Sequence, residues 1–446
     1  MMKLKEMLQP SFLRQVIFRR PKPIGKWTKA IRFFLFSVLA ISLLAPLIAN
    51  EKPLLVVLHD HYYFPAFTDL NPWHSTNFYQ IKKTTTQESD YLQLDITNWK
   101  KLSPDFVIWC LVPYSPGKTD LHNANFSSPF EKQWFDSKTA MPFRFRHFLG
   151  TGALGQDLLA GIIHGTRNAL AIGIFSMLLA AMFGLFLGAI SGYFGNDQIT
   201  LNALTFMGII FGSMIGYFYS FYSLSFFLTD AFESSTFKGY SAILISCMFF
   251  LIIVAACYFI AKTLSEKFPK LPKWRVPVDF LVNSAIEFTM ALPILIVIIS
   301  LSALVKPGAS HVIVIIALTS WTGIARLTRA EFMRIKQLNF MEAATALGFS
   351  RWRIILRHGL PNALSPALVV IIFGVANSIL IEASLSFLGI GLGPENVSWG
   401  SLLNEGRNDF NAWWMTLFPG MAIFLTIFAF NYLGEELKPV QLKSNQ

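Results

Sequence analysis

Apolar residues run in long blocks along this chain and are separated by shorter polar stretches. Eight blocks are long enough to cross a membrane, near 31–49, 168–191, 204–228, 241–261, 286–305, 311–326, 364–388 and 414–433. A helix rises about 1.5 Å per residue, so about twenty residues cross a hydrocarbon layer of roughly 30 Å. Backbone groups in lipid must bond within their own segment, which makes each block a predicted helix. The 311–326 block runs straight into Arg326 and Arg329, so its boundary is soft. Residues 50–160 break the pattern. They carry proline, aromatic residues and short runs such as PLLVVL, YLQLDI and FVIWCLVPY, which read as short strands.

Composition sharpens this reading. The 446 residues are 53% hydrophobic and 14% charged, whereas soluble domains carry about a quarter charged residues. The net charge of +11 would point to nucleic acid on a soluble protein. On a membrane protein it reflects basic loops on the cytoplasmic side, and no nucleic-acid partner is expected. From Lys3 to Arg32 there are nine basic residues and one acid; 262–275 holds five against one, and 326–358 seven against two. Eight crossings place all three segments in the cytoplasm, with both termini. The loops 229–239 and 389–413 then fall outside, together with 50–160, a small extracytoplasmic domain. The block 31–49 lacks a convincing small-residue cleavage site before Glu51, so it reads as an uncleaved first span.

The segment Asn339–Pro366, NFMEAATALGFSRWRIILRHGLPNALSP, lies in a basic cytoplasmic loop. It reads as two short helices. The first runs through Met341–Leu347, with Glu342 near its positive end. Gly348 stands where a left-handed residue closes a helix. Ser350 caps a second helix, Arg351–His358, and Pro361 ends it. Ala343, Ala344 and Ala346 leave a shallow surface for another protein's groove. Trp352, Ile354, Ile355 and Leu356 supply apolar anchors. A basic amphipathic helix lying on the membrane remains the alternative.

The pattern Glu342-Ala343-Ala344, then Gly348, then Leu360-Pro361 resembles the EAA loop of binding-protein-dependent ABC importer permeases. Further segments resemble the dipeptide and oligopeptide subfamily in the same order: LGTGALGQDLLAGIIHGTRNAL at 149–170, SGYFG at 191–195, IEFTMALPILIVI at 286–298, TSWTGIARLTRAEFMRIK at 319–336, EASLSFLGIGLGPENVSWGSLLNEGR at 382–407 and FPGMAIFLTIFAFNYLGEEL at 418–437. Residues 47–67 are similar to permeases for microcin C and peptides. The resemblance implies an all-α polytopic membrane protein of about eight transmembrane helices, the usual six plus an N-terminal span and an inserted pair. It implies a basic cytoplasmic tail at 1–30, a first span at 31–49, the extracytoplasmic domain at 50–160, a permease core at 161–434 and a cytoplasmic tail at 435–446. The core contains the inserted pair at 204–275 and the coupling loop at 339–361.

In such a transporter a second, similar permease completes the pathway. Two ATPase subunits grip the coupling loops, and an external binding protein delivers a peptide. The resemblance places the chain in a bacterial inner membrane, in contact with lipid. ATP and magnesium are expected on the ATPase chains, because GxxxxGK[ST] is absent here, as are HExxH and GxSxG. No catalytic residue, cofactor or metal site is therefore expected on this chain. The coupling residues implied are Glu342, Ala343, Ala344, Gly348, Leu360 and Pro361. Related systems also carry nickel chelates, so a non-peptide cargo is an alternative; an intramembrane enzyme using Glu382 and Asp157, or a membrane assembly factor, are others.

Some positions depart from the subfamily. Gly152 and Gln156 stand where it usually has Asp and Arg, with Asp157 retained. Gly359 replaces an apolar residue, which predicts looser docking there. Glu382 lies inside an apolar block, where an ionisable group must face protein or water; it either lines the pathway or braces neighbouring helices. Pro293 and Pro419 fall within predicted spans, where each permits a kink. Cys247 and Cys257 read as small apolar residues, and Cys110 as a single thiol or one paired between chains.

Overall fold

The computed structural model describes residues 26–58, 61–70, 81–82, 91–92, 106–136, 139–234, 236–268, 271–304, 307–393 and 396–438. The basic segment 1–25, the tail 439–446 and most of the expected strand at 91–96 lie outside the described residues. The protein is chiefly helical. Seven of its described helices are long and apolar enough to cross a membrane, and a bent pair raises the number to eight.

Helix α1, Lys26–Ile48, is the first span. The segment after it carries short strands. β1 (Leu55–Leu58) pairs antiparallel with β2 (His61–Tyr63), while β3 (Ile81–Lys82) pairs with β4 (Tyr91–Leu92). β5 (Phe106–Ile108) lies on the other side of β1, with Val56 opposite Val107. β6 (Trp134–Asp136) and β7 (Thr139–Ala140) form a last hairpin. Helix α2, Leu158–Phe194, is 37 residues long and starts ten residues before its apolar block, in the loop that follows these strands.

The chain divides into two compact units, Ile190–Ala285 and the remainder. Within the smaller unit, β8 (Thr200–Asn202) pairs with β9 (Lys273–Arg275). Between them lie α3 (Ala203–Tyr217), a π-turn at Phe218–Tyr222, α4 (Ser225–Ser234) and α5 (Thr236–Glu266). α3 and α5 pack closely because Gly212 and Gly216 leave no side chain between them: a Cβ at Gly212 would lie 2.7 Å from that of Cys257.

The block at 286–305 is not one straight span. α6 (Val278–Ala291) and α7 (Ile294–Leu304) meet at a bend of 82°. Pro293 sits at the break. It has no N–H to bond the preceding turn, and its ring crowds the carbonyl four residues back. Pro419, by contrast, is buried inside an unbroken helix, α13 below.

In the larger unit α8 (Ala309–Lys336) continues well past Arg326 and Arg329. It is followed by α9 (Asn339–Ala346), α10 (Arg351–Arg353), α11 (Leu360–Phe387), α12 (Trp399–Gly406) and α13 (Trp413–Leu437). One apolar cluster joins Val38 of α1, Ala169, Leu170, Met177 and Ala180 of α2, Ile324 of α8, Val375 and Ile379 of α11, and Ile423 of α13. Hydrophobicity alone does not drive helices together in lipid, so close contact of small residues matters. On α2, a Cβ at Gly184 would meet Trp321 O at 2.8 Å, and one at Gly188 would meet Ala325 O at 2.5 Å.

Candidate functional site

The polar loop between α8 and α11 folds as its residues dictate. α9 ends in a Schellman arrangement: Phe349 N–H donates to Ala344 O at 3.2 Å and Gly348 N–H to Thr345 O at 3.0 Å. Gly348 supplies the required left-handed backbone, with φ of 72°. The Ser350 hydroxyl then accepts from Arg353 N–H at 3.4 Å and caps α10. Met341, Ala344, Ile354 and Ile355 turn inward and are buried. Glu342, Ala343, Ala346 and Gly348 are exposed. Leu347 stands out with 71% of its surface exposed, flanked by exposed Trp352 and Leu356. The loop thus presents a small-residue step beside one protruding leucine.

The second helix does not stop at Pro361. After α10 the chain makes a π-turn, Ile354–Gly359, and passes directly into α11 with Pro361 in its first turn. A proline inside a regular helix clashes with the carbonyl four residues back. The wider π-turn accommodates it, and such turns are frequent at functional sites. Arg351–Phe387 is consequently one helical element of 37 residues, on the order of 50 Å long. Leu360 and Pro361, half-buried, sit in this junction rather than on the protruding face. Gly359 is buried, and a Cβ there would meet the Phe332 ring at 2.5 Å. The ring fills the space of the missing side chain, so the inward side of this position is tightly packed. Stacking of Trp352 on Phe186 (6.4 Å, 8° between rings) ties the loop to α2.

At the far end of α11, Glu382 is fully buried. Its Oε1 accepts from the Ser386 hydroxyl at 2.8 Å. Neighbouring α12 begins with a capping box between Ser398 and Ser401 and with buried Trp399, whose Nε1 donates to Ile162 O of α2 at 3.0 Å.

Next to α12 is a second polar centre, which sequence reading missed. His147, fully buried, lies between two carboxylates: Nδ1 is 2.9 Å from Asp157 Oδ2 and Nε2 is 3.3 Å from Asp120 Oδ2. Asp157 Oδ1 also caps α2 by accepting from Ala160 N–H at 2.6 Å. Burial pushes His147 toward the neutral form, but its hydrogen bonds to Asp120 and Asp157 and their charges outweigh burial and raise its pKa. Burial likewise works upward on Asp120, yet hydrogen bonds from His147 and Asn123 bring it below its ordinary value. Tyr114 stacks on the His147 ring at 4.1 Å and donates to Phe145 O. The three charged partners are separated by loop residues without periodicity, which is why no motif exposed them.

Glu405 of α12 explains the departure at Gly152. Its Oε1 accepts from Ala153 N–H at 2.7 Å and occupies the space into which a side chain at 152 would point. Trp414 of α13 donates to Thr151 O at 3.2 Å. The loop 147–157 therefore joins the strand-bearing segment, α2, α12 and α13. Cys110 is a buried thiol donating to Lys52 O at 3.2 Å. Among the described residues no group of three or more His, Cys, Asp or Glu is placed to hold a metal ion.

A broken span, a capped basic loop continuous with a long apolar helix, and a polar hub around His147 are the main features of this polytopic chain. Residues 273–439 match the family described as binding-protein-dependent transport system inner membrane component. Those residues carry that permease domain. Over 293 residues the chain is 29% identical to the glutathione transport system permease protein GsiD of Pectobacterium atrosepticum, covering 66% of this chain and 71% of that one. It is 40% identical over 168 residues to a putative peptide transport system permease protein of Brucella suis, covering 37% and 57% of the two chains. It is 27% identical over 420 residues to the inner membrane ABC transporter permease protein YejE of Escherichia coli, covering 93% and 92%.

Proposed function

We propose that this chain is one permease half of an ATP-driven peptide importer, coupled to separate ATPase subunits through residues 339–361. The observation that carries the coupling role is the continuity of the loop with α11. The Schellman-closed α9 and the capped α10 present Ala343, Ala346 and Leu347 outward. The same chain then runs as one helical element to Phe387. A push on the loop is delivered along α11 to Glu382, Ser386 and α12, where the loop 147–157 begins the external surface. In this reading Ala343, Ala344 and Gly348 shape the docking step, Glu342 meets a cation of the ATPase, and Leu360 and Pro361 hold the junction. Glu382 braces the end of α11 rather than lining the pathway, because it is fully buried and bonded to Ser386.

ATP and magnesium would reside on the ATPases. A second permease would complete the pathway, and an extracytoplasmic binding protein would deliver the cargo. Both termini would be cytoplasmic. The peptide class rests on the names of the relatives, two of which specify glutathione or peptide transport. The test is ATP-dependent uptake by proteoliposomes holding all subunits. Leu347→Asp or Gly348→Trp is expected to reduce uptake at least tenfold and to weaken ATPase binding while leaving the permease folded. Unchanged uptake and ATPase binding would remove the coupling assignment. A nickel chelate, rather than a peptide, retained on the purified binding protein would overturn the cargo.

A further inference from the structure

The unit Ile190–Ala285 contains the two spans that the six-span pattern does not require. Its helices spend their inner faces on one another. Gly208, Gly212 and Gly216 of α3 meet Ala261, Cys257 and Phe250 of α5. Thr205 and Ser265 close the end of the hairpin with a hydroxyl–hydroxyl bond of 3.4 Å. The outer surface is apolar and open: only 6% of the apolar window of α5 is buried. Acyl chains are the medium for that surface.

The base of the hairpin has a different chemistry. The β8–β9 ribbon joins the start of α3 to the chain after α5, and Ala203 N–H donates to Pro272 O at 3.0 Å. Lys262, Lys267, Lys273 and Arg275 are exposed around this ribbon. Arg275 pairs with Asp197 at 2.8 Å. The three lysines make no ion pair among the described residues, and Glu266 is the exposed acid among them. Exposed aromatic side chains alternate with the cations: Phe268 (57%), Trp274 (44%) and Phe280 (62%). Trp274 packs edge-on against Phe206 of α3, with ring centroids 5.5 Å apart. The indole is thereby held at the end of an apolar helix, as at a membrane–water interface.

We propose that the base of this hairpin is a binding site for the headgroup of an anionic phospholipid. Lys262, Lys267 and Lys273 would receive the phosphate. Trp274 would mark the interface, and the outer faces of α3 and α5 would hold the acyl chains. Cations clustered directly at the end of a spanning hairpin recognise anionic headgroups. The continuous apolar flank selects a lipid over a free anion, since a soluble phosphate gains nothing from it. The inserted pair is on this account a lipid-anchored element rather than a second pathway.

The test is native mass spectrometry of the full chain in detergent, with phosphatidylglycerol or phosphatidylcholine added. The wild-type protein is expected to retain phosphatidylglycerol in clear preference to phosphatidylcholine. Lys262→Gln, Lys267→Gln and Lys273→Gln together are expected to weaken phosphatidylglycerol about a hundredfold, roughly fivefold per lysine. Lys132→Gln with Arg144→Gln, in the strand-bearing segment, is expected to change nothing. Equal retention of the two lipids by the wild-type protein overturns the proposal, whether or not the triple variant folds. So does undiminished phosphatidylglycerol binding by a triple variant of normal helicity. Displacement of phosphatidylglycerol by an equal concentration of inorganic phosphate would make the site a general anion site and overturn the lipid assignment.

Discussion

At the scale of single residues, His147 makes the sharpest demand on pH. Its pKa is raised from an ordinary 6.5 by two carboxylate partners. Its stabilisation is therefore complete below that value and is lost as pH rises through the higher, folded value. Asp120 is depressed from 3.8, so its contribution is complete above that value and is lost as pH falls through the folded value. The clamp is strongest between these limits. Thermal unfolding of the purified chain should show a stability plateau in mildly acid solution and a decline on the alkaline side. His147→Gln should lower the plateau and remove that decline; an unchanged alkaline decline would show that another group causes it. Asp157→Ala leaves the buried histidine with one carboxylate and uncaps α2 at Ala160. The expected cost is about 3 kcal/mol or more, measurable as a lower unfolding midpoint. Asp157 was visible in the sequence as a retained position, but its partners were not. His147 lies in an aperiodic loop, and only the fold brings Asp120 to its other nitrogen. Glu405 was similarly hidden, because it replaces a side chain missing at Gly152, more than two hundred residues earlier in the chain.

At the scale of elements, apolar blocks identified the spans because burial in lipid requires long uninterrupted runs. They gave the ends poorly. α2 and α8 continue beyond their blocks, into loop and basic residues, since a helix keeps bonding its own backbone after the lipid ends. Local chemistry was legible where one residue sets one backbone state, as Gly348 does in closing α9 and Ser350 in capping α10. It was misleading at Pro361, while the kink expected at Pro293 is present. Pro293 breaks a span that hydropathy shows as continuous, whereas Pro361 is absorbed by a π-turn that no residue pattern announces. The packing of Gly359 against Phe332 gives this junction a test. Gly359→Ala should cost about 1–3 kcal/mol through overpacking, because the ring is buried and cannot swing into solvent. Phe332→Leu should recover part of that loss in the double variant. Strict additivity of the two changes in thermal midpoint would show that the ring and the glycine are not coupled.

At the scale of the whole molecule, the side on which each loop lies depends on whether α6 and α7 together cross the membrane. The bend of 82° admits two topologies: a broken span or a re-entrant hairpin. The distribution of charge separates them. If the pair crosses, the Arg-rich loop around Leu347 lies opposite the strand-bearing segment and on the side of the basic N-terminal stretch, as the excess of Lys and Arg near both requires. If the pair returns to the side it started from, every later loop is inverted. The loop around Leu347 would then face outward, with Arg351, Arg353 and Arg357, out of reach of the ATPase proposed to dock on it. Single cysteines at Lys118 and Leu347 distinguish the cases, with Cys110, Cys247 and Cys257 replaced by alanine. Both positions are exposed, so a membrane-impermeant thiol reagent reaches each from one side only. In intact inside-out vesicles the cysteine at 347 should label and the one at 118 should not, with the reverse in right-side-out vesicles. Labelling of both from the same side would make α6–α7 a re-entrant pair, reduce the crossings to seven, and remove the topological basis for placing the coupling loop beside an ATPase.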